Sequence, residues 1–398
     1  MSDDESYSLA IETTPIDFEE AEKETRATWE HEQLAQVRIK VFRGHFGAVN
    51  SCQYINNDTK ILSGSSDKTV KIWDIDTGIV SNTFNCHSDA VSAVSINDNG
   101  RRFASCGWDK KIGVCDVESG NMLWTGKHAG IVTSCKFSHD GKMVVSGSDL
   151  DNTLKIWDAN SGELIYNIED IHTSTITSCK FAPLDDKVIT TSMDQSAKFF
   201  DLRSNKVTIT VEGHINVISS CDVTFDERKF ATGSWDKTVG IWDIATGGYR
   251  SKGPLTLSGS HDGSVSSCAF SNDGLMLATG SFDKTVVVWD VENQVQKLKL
   301  QGHDDWVLDV AFTKDMQHVM SASKDTTIRI WNVEDSDKIP VVMERKKAIG
   351  LKIIKCGKCG KPFSMTQLES FRDVSVCVFC RLKNREKTML DIMNMVDS

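Results

Sequence analysis

Nowhere in the 398-residue chain is there a run of about 18 apolar residues, the length a membrane helix needs. The N-terminus also lacks the basic-then-apolar order of a secretory signal and opens on Asp3, Asp4 and Glu5. These two absences predict an intracellular protein, cytoplasmic or nuclear, with no membrane partner. Missing too are a glycine-rich phosphate loop, a catalytic dyad that occurs only once, and a metal-ligand set with a position open to water. No enzyme chemistry is therefore readable, and a non-catalytic protein is expected.

What is present is a globular composition, 39% hydrophobic and 25% charged, able to bury a large core. The formal charge of -11 is unevenly placed. Residues 1–35 hold eleven acids against Lys23 and Arg26, and residues 344–398 hold twelve bases against six acids, which leaves the middle at -8. An acidic body repels polyanions, so nucleic-acid binding by the middle is not expected; only the tail has the charge for it.

Histidines recur at His45, His87, His128, His172, His214, His261 and His303, in steps of 42, 41, 44, 42, 47 and 42 residues. Each is followed 28 residues later, 29 in the third unit, by Trp73, Cys115, Trp157, Phe200, Trp242, Trp289 or Trp331. Six residues before that position stands Asp67, Asp109, Asp151, Asp194, Asp236, Asp283 or Asp325. Four residues before each aspartate lies a Ser or Thr, except in the third unit, where Ser146 is offset by one. Between these markers are short β-patterned runs such as Val70-Lys71-Ile72-Trp73, separated by turns such as Gly64-Ser65-Ser66-Asp67. Seven units of this length, each with four strands, predict an all-β, seven-bladed propeller over residues 36–343. An acidic arm (1–35) precedes it and a basic tail (344–398) follows.

From Gly44-His45 through Trp73-Asp74 to Trp331-Asn332, the chain resembles the WD-repeat family, and within it an animal WD-repeat protein with a cysteine-rich tail. The resemblance implies a hydrogen-bond chain inside each blade: indole to Ser/Thr hydroxyl, hydroxyl to histidine, histidine to aspartate. It assigns structural tetrads to His45, Asp67 and Trp73; His128, Asp151 and Trp157; His214, Asp236 and Trp242; His261, Asp283 and Trp289; and His303, Asp325 and Trp331. Such sets imitate a catalytic triad, but a triad occurs once, whereas these repeat with the blade. Cys115 and Phe200 supply no indole donor, so the second and fourth chains should be incomplete and those blades weaker. The resemblance also implies that an N-terminal strand closes the ring, here Val37-Arg38-Ile39-Lys40-Val41-Phe42. Residues 338–343 are a rival for that slot, although Pro340 disfavours them.

Cys52, Cys135, Cys179, Cys221 and Cys268 each lie seven residues after their histidine and read as core-filling thiols, while Cys86, Cys106 and Cys115 occur singly. Free thiols on this scale point to a reducing compartment. The remaining four are different. Cys356-Gly357-Lys358-Cys359 and Cys377-Val378-Phe379-Cys380, with seventeen residues between, fit a closed four-thiolate site for one structural Zn²⁺. Four ligands are too few for a two-metal RING ligase. Helices are expected at both ends: from the cap Thr14-Pro15-Ile16-Asp17 through residues 18 to about 37, and after the second cysteine pair, where Leu382, Met389, Ile392, Met393 and Val396 recur at helical spacing.

In the family, one face of the disc is lined by the residue before the blade aspartate and by those three and five after the histidine. Here these include Trp108, Met193, Trp235 and Phe282, with Trp306 and Leu308, and the five larger side chains would ring the channel mouth. The leading function is a scaffold that captures a protein or peptide partner on this aromatic face, as a monomeric propeller within a larger complex. One alternative is a cullin-type ubiquitin-ligase adaptor, since Phe200-Asp201-Leu202-Arg203 resembles a docking ending of some propellers. The other is nucleic-acid binding through the basic zinc tail.

Overall fold

The computed structural model describes residues 29–30, 37–55, 58–248, 250, 253–334, 353–355 and 362–364. Six four-stranded antiparallel sheets and one five-stranded sheet follow one another along the chain. The first strand of each sheet packs against the first strand of the next, and that of the seventh against that of the first, so the sheets close into a ring. Blade 1 is typical, with strands Val49–Ile55, Lys60–Ser65, Val70–Asp74 and Val80–Phe84 from the inside out. Its second strand is almost wholly buried, whereas the outermost is mostly exposed.

The core is not one mass but seven apolar layers, each shared by the facing sides of adjacent blades. Between blades 1 and 2, for example, Leu62, Val70 and Ile72 meet Val91, Val94 and Phe103. Each fully buried side chain of this size contributes about 1.5–3 kcal/mol of transfer free energy, so the blades stabilise one another.

Polar stitches at the inner rim join blade to blade. In five of the seven blades the residue five after the histidine reaches the first carbonyl of the next blade: Asn50 to Val91 (2.6 Å), Thr133 to Ile176 (2.5 Å), Thr177 to Ile218 (2.6 Å), Ser219 to Val265 (2.6 Å) and Ser266 to Val307 (2.7 Å), whereas Ser92 of blade 2 makes no such bond. Leu308 has no polar group to do this at the junction of blades 7 and 1. There the Cys52 amide donates to Asp309 (3.0 Å) and the Lys314 amide to Asp58 (2.6 Å).

The ring closes through Ile39–Phe42, which forms the fourth strand of blade 7 by pairing with Ile328–Asn332. All four of its residues are buried. Ile39 and Val41 enter the layer between blades 6 and 7, and Phe42 packs edge-on against Trp73 of blade 1. The rival segment 338–343 lies outside the described residues. Outside Ile39–Phe42, Trp29–Glu30 adds a fifth strand, with Trp29 opposite Lys40 and Glu30 opposite Ile39. This corrects the expected helix over residues 18–37, which cannot run through Trp29–Glu30. The edge of Ile39–Phe42 offers unpaired backbone groups, and pairing with them outweighs the helical preference of this acidic stretch. The rest of the N-terminal helix and the C-terminal helix fall outside the described residues.

Candidate functional site

The repeated polar residues come together inside each blade. In blade 1, Trp73 Nε1 donates to Ser63 Oγ (2.8 Å), Ser63 Oγ lies 2.8 Å from His45 Nε2, and His45 Nδ1 lies 2.7 Å from Asp67 Oδ2. An ionised carboxylate only accepts, so the proton sits on Nδ1 and Nε2 accepts from the hydroxyl. Burial opposes ionisation of Asp67, but hydrogen bonds from His45, Thr69 and the Phe46 amide outweigh it and hold the carboxyl well below the usual range. Both the hydroxyl and the imidazole are buried and fully engaged, which leaves no free nucleophile in the set.

Blades 5, 6 and 7 repeat this arrangement, with Trp242, Trp289 and Trp331 donating to Thr232, Thr279 and Ser321, and with His214–Asp236, His261–Asp283 and His303–Asp325 at 2.8, 3.1 and 2.7 Å. In blades 2 and 4 the histidine keeps both partners: His87 lies 2.9 Å from Ser105 and 3.0 Å from Asp109, and His172 lies 2.9 Å from both Thr190 and Asp194. Only the indole is missing.

Blade 3 departs differently. Trp157 donates to Ser146 (2.9 Å) and Ser146 meets His128 (2.8 Å), but His128 Nδ1 and Asp151 stand 4.0 Å apart. Burial first, and then the charge of Lys155, lower the pKa of His128 to about 4. The extra residue also shifts the surface position. In the other blades the residue before the aspartate is held by its amide to the carbonyl three after the histidine, as in Trp108 to Ala90, Trp235 to Val217 and Phe282 to Ser264. In blade 3 the Asp149 amide makes that bond, to Ile131, so Asp149 and not Leu150 is the structural equivalent.

On this face Phe282 stacks on Trp306 (centroids 4.7 Å, 24° between planes) and Trp235 tilts against Phe282 at 6.4 Å. The Lys324 ammonium lies 4.2 Å above the Trp306 ring. Trp235 and Trp306 nevertheless remain 37% and 42% exposed. The expected ring of aromatics is thus an arc over blades 5 to 7. Trp108 is 56% exposed in blade 2 and Met193 is exposed in blade 4, and no ring contact among the described residues joins Trp108 to the arc. Leu308 is partly buried and lines the central channel, a cavity of about 450 Å³ whose wall mixes Ser and Thr with apolar and charged side chains such as Phe270, Lys136 and Asp309.

Among the exposed apolar residues that the sequence pattern did not mark are Phe46 and Ile215, each directly after a blade histidine. Their amides donate to Asp67 and Asp236, which turns the side chains outward. The signal was available, because every blade histidine is followed by a residue in the same geometry. Within Phe200-Asp201-Leu202-Arg203, Phe200 is buried, and Asp201 accepts from the Arg203 and Ser204 amides. Asp74 and Asp158 cap the equivalent turns in the same way, so the periodic turn accounts for Asp201.

Cys52, Cys135, Cys179, Cys221 and Cys268 are buried in the blades, and burial pushes Cys179 and Cys268 up to about 12, far from thiolate chemistry. Cys356, Cys359, Cys377 and Cys380 lie outside the described residues. The first pair is nevertheless framed by a two-stranded ladder, Ile353–Lys355 with Pro362–Ser364. No helix among the described residues is long and apolar enough to cross a membrane.

Comparison with known proteins agrees with this architecture. The model of the WD domain, G-beta repeat, matches seven stretches: 36–74, 78–116, 120–158, 162–201, 205–243, 253–290 and 294–332. Each stretch begins with the outer strand of the preceding blade, so the first one contains the closing strand. Human WD repeat-containing protein 88 is 44% identical over 360 residues, which cover 89% of this chain and 76% of that protein. Eukaryotic translation initiation factor 3 subunit I of Culex quinquefasciatus is 23% identical over 207 residues, covering 52% of this chain and 54% of that protein. A guanine nucleotide-binding protein subunit beta of Solanum tuberosum is 26% identical over 264 residues, with coverage of 53% and 60%. The seven matched repeats, the closed ring and the extent of the human match together show that the chain belongs to the WD-repeat family of seven-bladed propellers.

Proposed function

We propose that the protein is a non-catalytic scaffold that captures a peptide or protein loop on the aromatic arc of blades 5 to 7, as a monomeric propeller within a larger complex. The observation that carries this reading is the arc itself: Phe282, partly buried, lies against both Trp235 and Trp306, and the two tryptophans keep large ring surfaces in water. Aromatics clustered at a surface are what anchors of protein interfaces are made of. Lys324 over Trp306 adds a cation that orders one ring face and offers a partner a charged rim. Two relatives are named as subunits, which supports a place in an assembly.

Trp235→Ala and Trp306→Ala, made together, are expected to abolish recovery of the main partner from cells while leaving the melting temperature nearly unchanged. Loss of an interface anchor typically costs about 2 kcal/mol or more, over tenfold in affinity. Full recovery of that partner by the double variant would remove the arc from the account.

The tail forms a second element of the proposal. Its cysteine spacing supports a structural zinc module, and a hairpin flanking the first Cys-x-x-Cys pair is the local geometry such a knuckle uses. Cys356, Cys359, Cys377 and Cys380 would hold the ion, and the folded module would add a second contact surface.

A further inference from the structure

In blade 2 two departures from the repeat face each other. Cys115 occupies the tryptophan position, and Cys86 precedes the blade histidine, where blades 1 and 5 have Gly44 and Gly213. In those two blades the indole crowds this position: a Cβ on Gly44 or Gly213 would come within 3.2 or 3.0 Å of the Trp73 or Trp242 ring, and both glycines have positive φ, whereas blades 3 and 6 carry Lys127 and Ser260 there beside their tryptophans. Replacing the tryptophan by Cys115 vacates that space, and Cys86 fills it with a second thiol. The two Sγ atoms lie 3.3 Å apart.

Access distinguishes this pair from every other described thiol. Cys86 is partly exposed, whereas Cys52, Cys106, Cys115, Cys135, Cys179, Cys221 and Cys268 are buried. Either thiol can donate across this contact; with Cys115 as the donor the bond favours the Cys86 thiolate and holds Cys115 as the thiol. An attacking group that water can reach thus has a resolving thiol directly behind it.

We propose that Cys86 and Cys115 are a reversible disulfide site, oxidised by a low-molecular-weight disulfide of the glutathione type. The Cys86 thiolate attacks one sulfur of the oxidant, breaks its S–S bond and releases the first small thiol. Cys115 then gives up its proton and attacks Cys86 Sγ, which breaks the mixed disulfide and releases the second. Two protein thiols are oxidised, one small disulfide is reduced to two thiols, and the protons of the protein thiols end on those products. Closing the bond brings the sulfurs from 3.3 Å to about 2.05 Å, a movement that side-chain rotation can supply. The product ties the segment entering blade 2 to that blade's third strand, Lys111–Asp116.

The test uses the folded full chain, exposed to millimolar oxidised glutathione, quenched with N-ethylmaleimide and digested with trypsin. Cleavage places Cys86 in peptide 72–101, Cys115 in 112–127 and Cys106 in 103–110, so the linkage is unambiguous. A linked 72–101/112–127 pair that disappears with dithiothreitol is expected, at least tenfold more abundant than any other link among the propeller cysteines. Cys115→Ala, which keeps a small apolar group in the layer, should trap glutathione on Cys86. Cys86→Ser should leave Cys115 alkylatable only after denaturation. The proposal is overturned if wild-type Cys86 ends as a stable glutathione adduct beside a free Cys115, or if both remain unlinked while the chain is folded.

Discussion

His128 has lost the contact that its counterparts keep. With Asp151 4.0 Å away, no short bond offsets its burial, and the folded imidazole titrates near pH 4. In the unfolded chain a histidine titrates near about 6.5. Because the folded value is the lower one, its contribution to stability is complete above about pH 6.5, declines as the pH falls from there towards 4, and changes no further below that. Burial moves His303 in the same direction, against the pull of Asp325. Asp67, Asp194, Asp283 and Asp325 are all held below the usual carboxylate range, so their contributions are lost only below about pH 4. Acid destabilisation should therefore begin with His128 and His303. For His128 the difference amounts to about 2 kcal/mol between pH 7.5 and pH 5. Urea melts of the intact chain should show a fall of that order, and His128→Gln should flatten it. Parallel curves for the two proteins would place the pH dependence elsewhere.

At the scale of elements, the ring depends on one short strand. Ile39–Phe42 is buried at every residue and pairs with residues 328–331 of the third strand of blade 7. Deleting residues 1–43 leaves that strand as an open edge and uncovers the layers on both sides, a loss of several kcal/mol at roughly 1.5–3 kcal/mol per buried side chain. Thermal melts of the 1–43 deletion should therefore show a large drop in midpoint, while deletion of 1–14 should leave it unchanged. An unchanged midpoint for the longer deletion would mean that residues 338–343 fill the slot. The closing strand was legible because an apolar stretch directly precedes Gly44-His45, in phase with the other outer strands. Trp29–Glu30 was not, because a two-residue pairing is set by the backbone edge it meets and not by its own side-chain pattern. Blade 3 was half legible. The offset of Ser146 announced an inserted residue, but pairing of Ser146 with Lys155 keeps the serine under Trp157. The insertion is absorbed in the turn instead, where it moves Asp151 away from His128.

For the whole molecule, seven in-phase units imply a closed ring, and the family resemblance says which positions of each unit line one face, which is why Trp235, Phe282 and Trp306 could be named from sequence. That they form an arc and not a ring follows from blade order: these three sit on consecutive blades, while Trp108 stands on blade 2, and spacing along the chain carries no such distance. The tail is read by a different logic, since its organisation rests on four cysteines and not on a repeat. If they hold zinc, the chain should carry about one Zn²⁺ per molecule, and Cys377→Ser should lose it, because three thiolates bind far more weakly than four. A segment as short as 356–380 rarely has a sufficient core of its own, so metal loss should unfold it. The propeller, whose layers are shared among its own blades, should melt as before. Basic residues around the knuckles will give weak, salt-sensitive association with nucleic acid in vitro, so only binding that survives physiological salt and discriminates among sequences or structures would assign the tail to that class of partner. Elemental analysis of freshly purified, reduced protein decides the first step: a zinc content near zero ends the module, and with it the second contact surface.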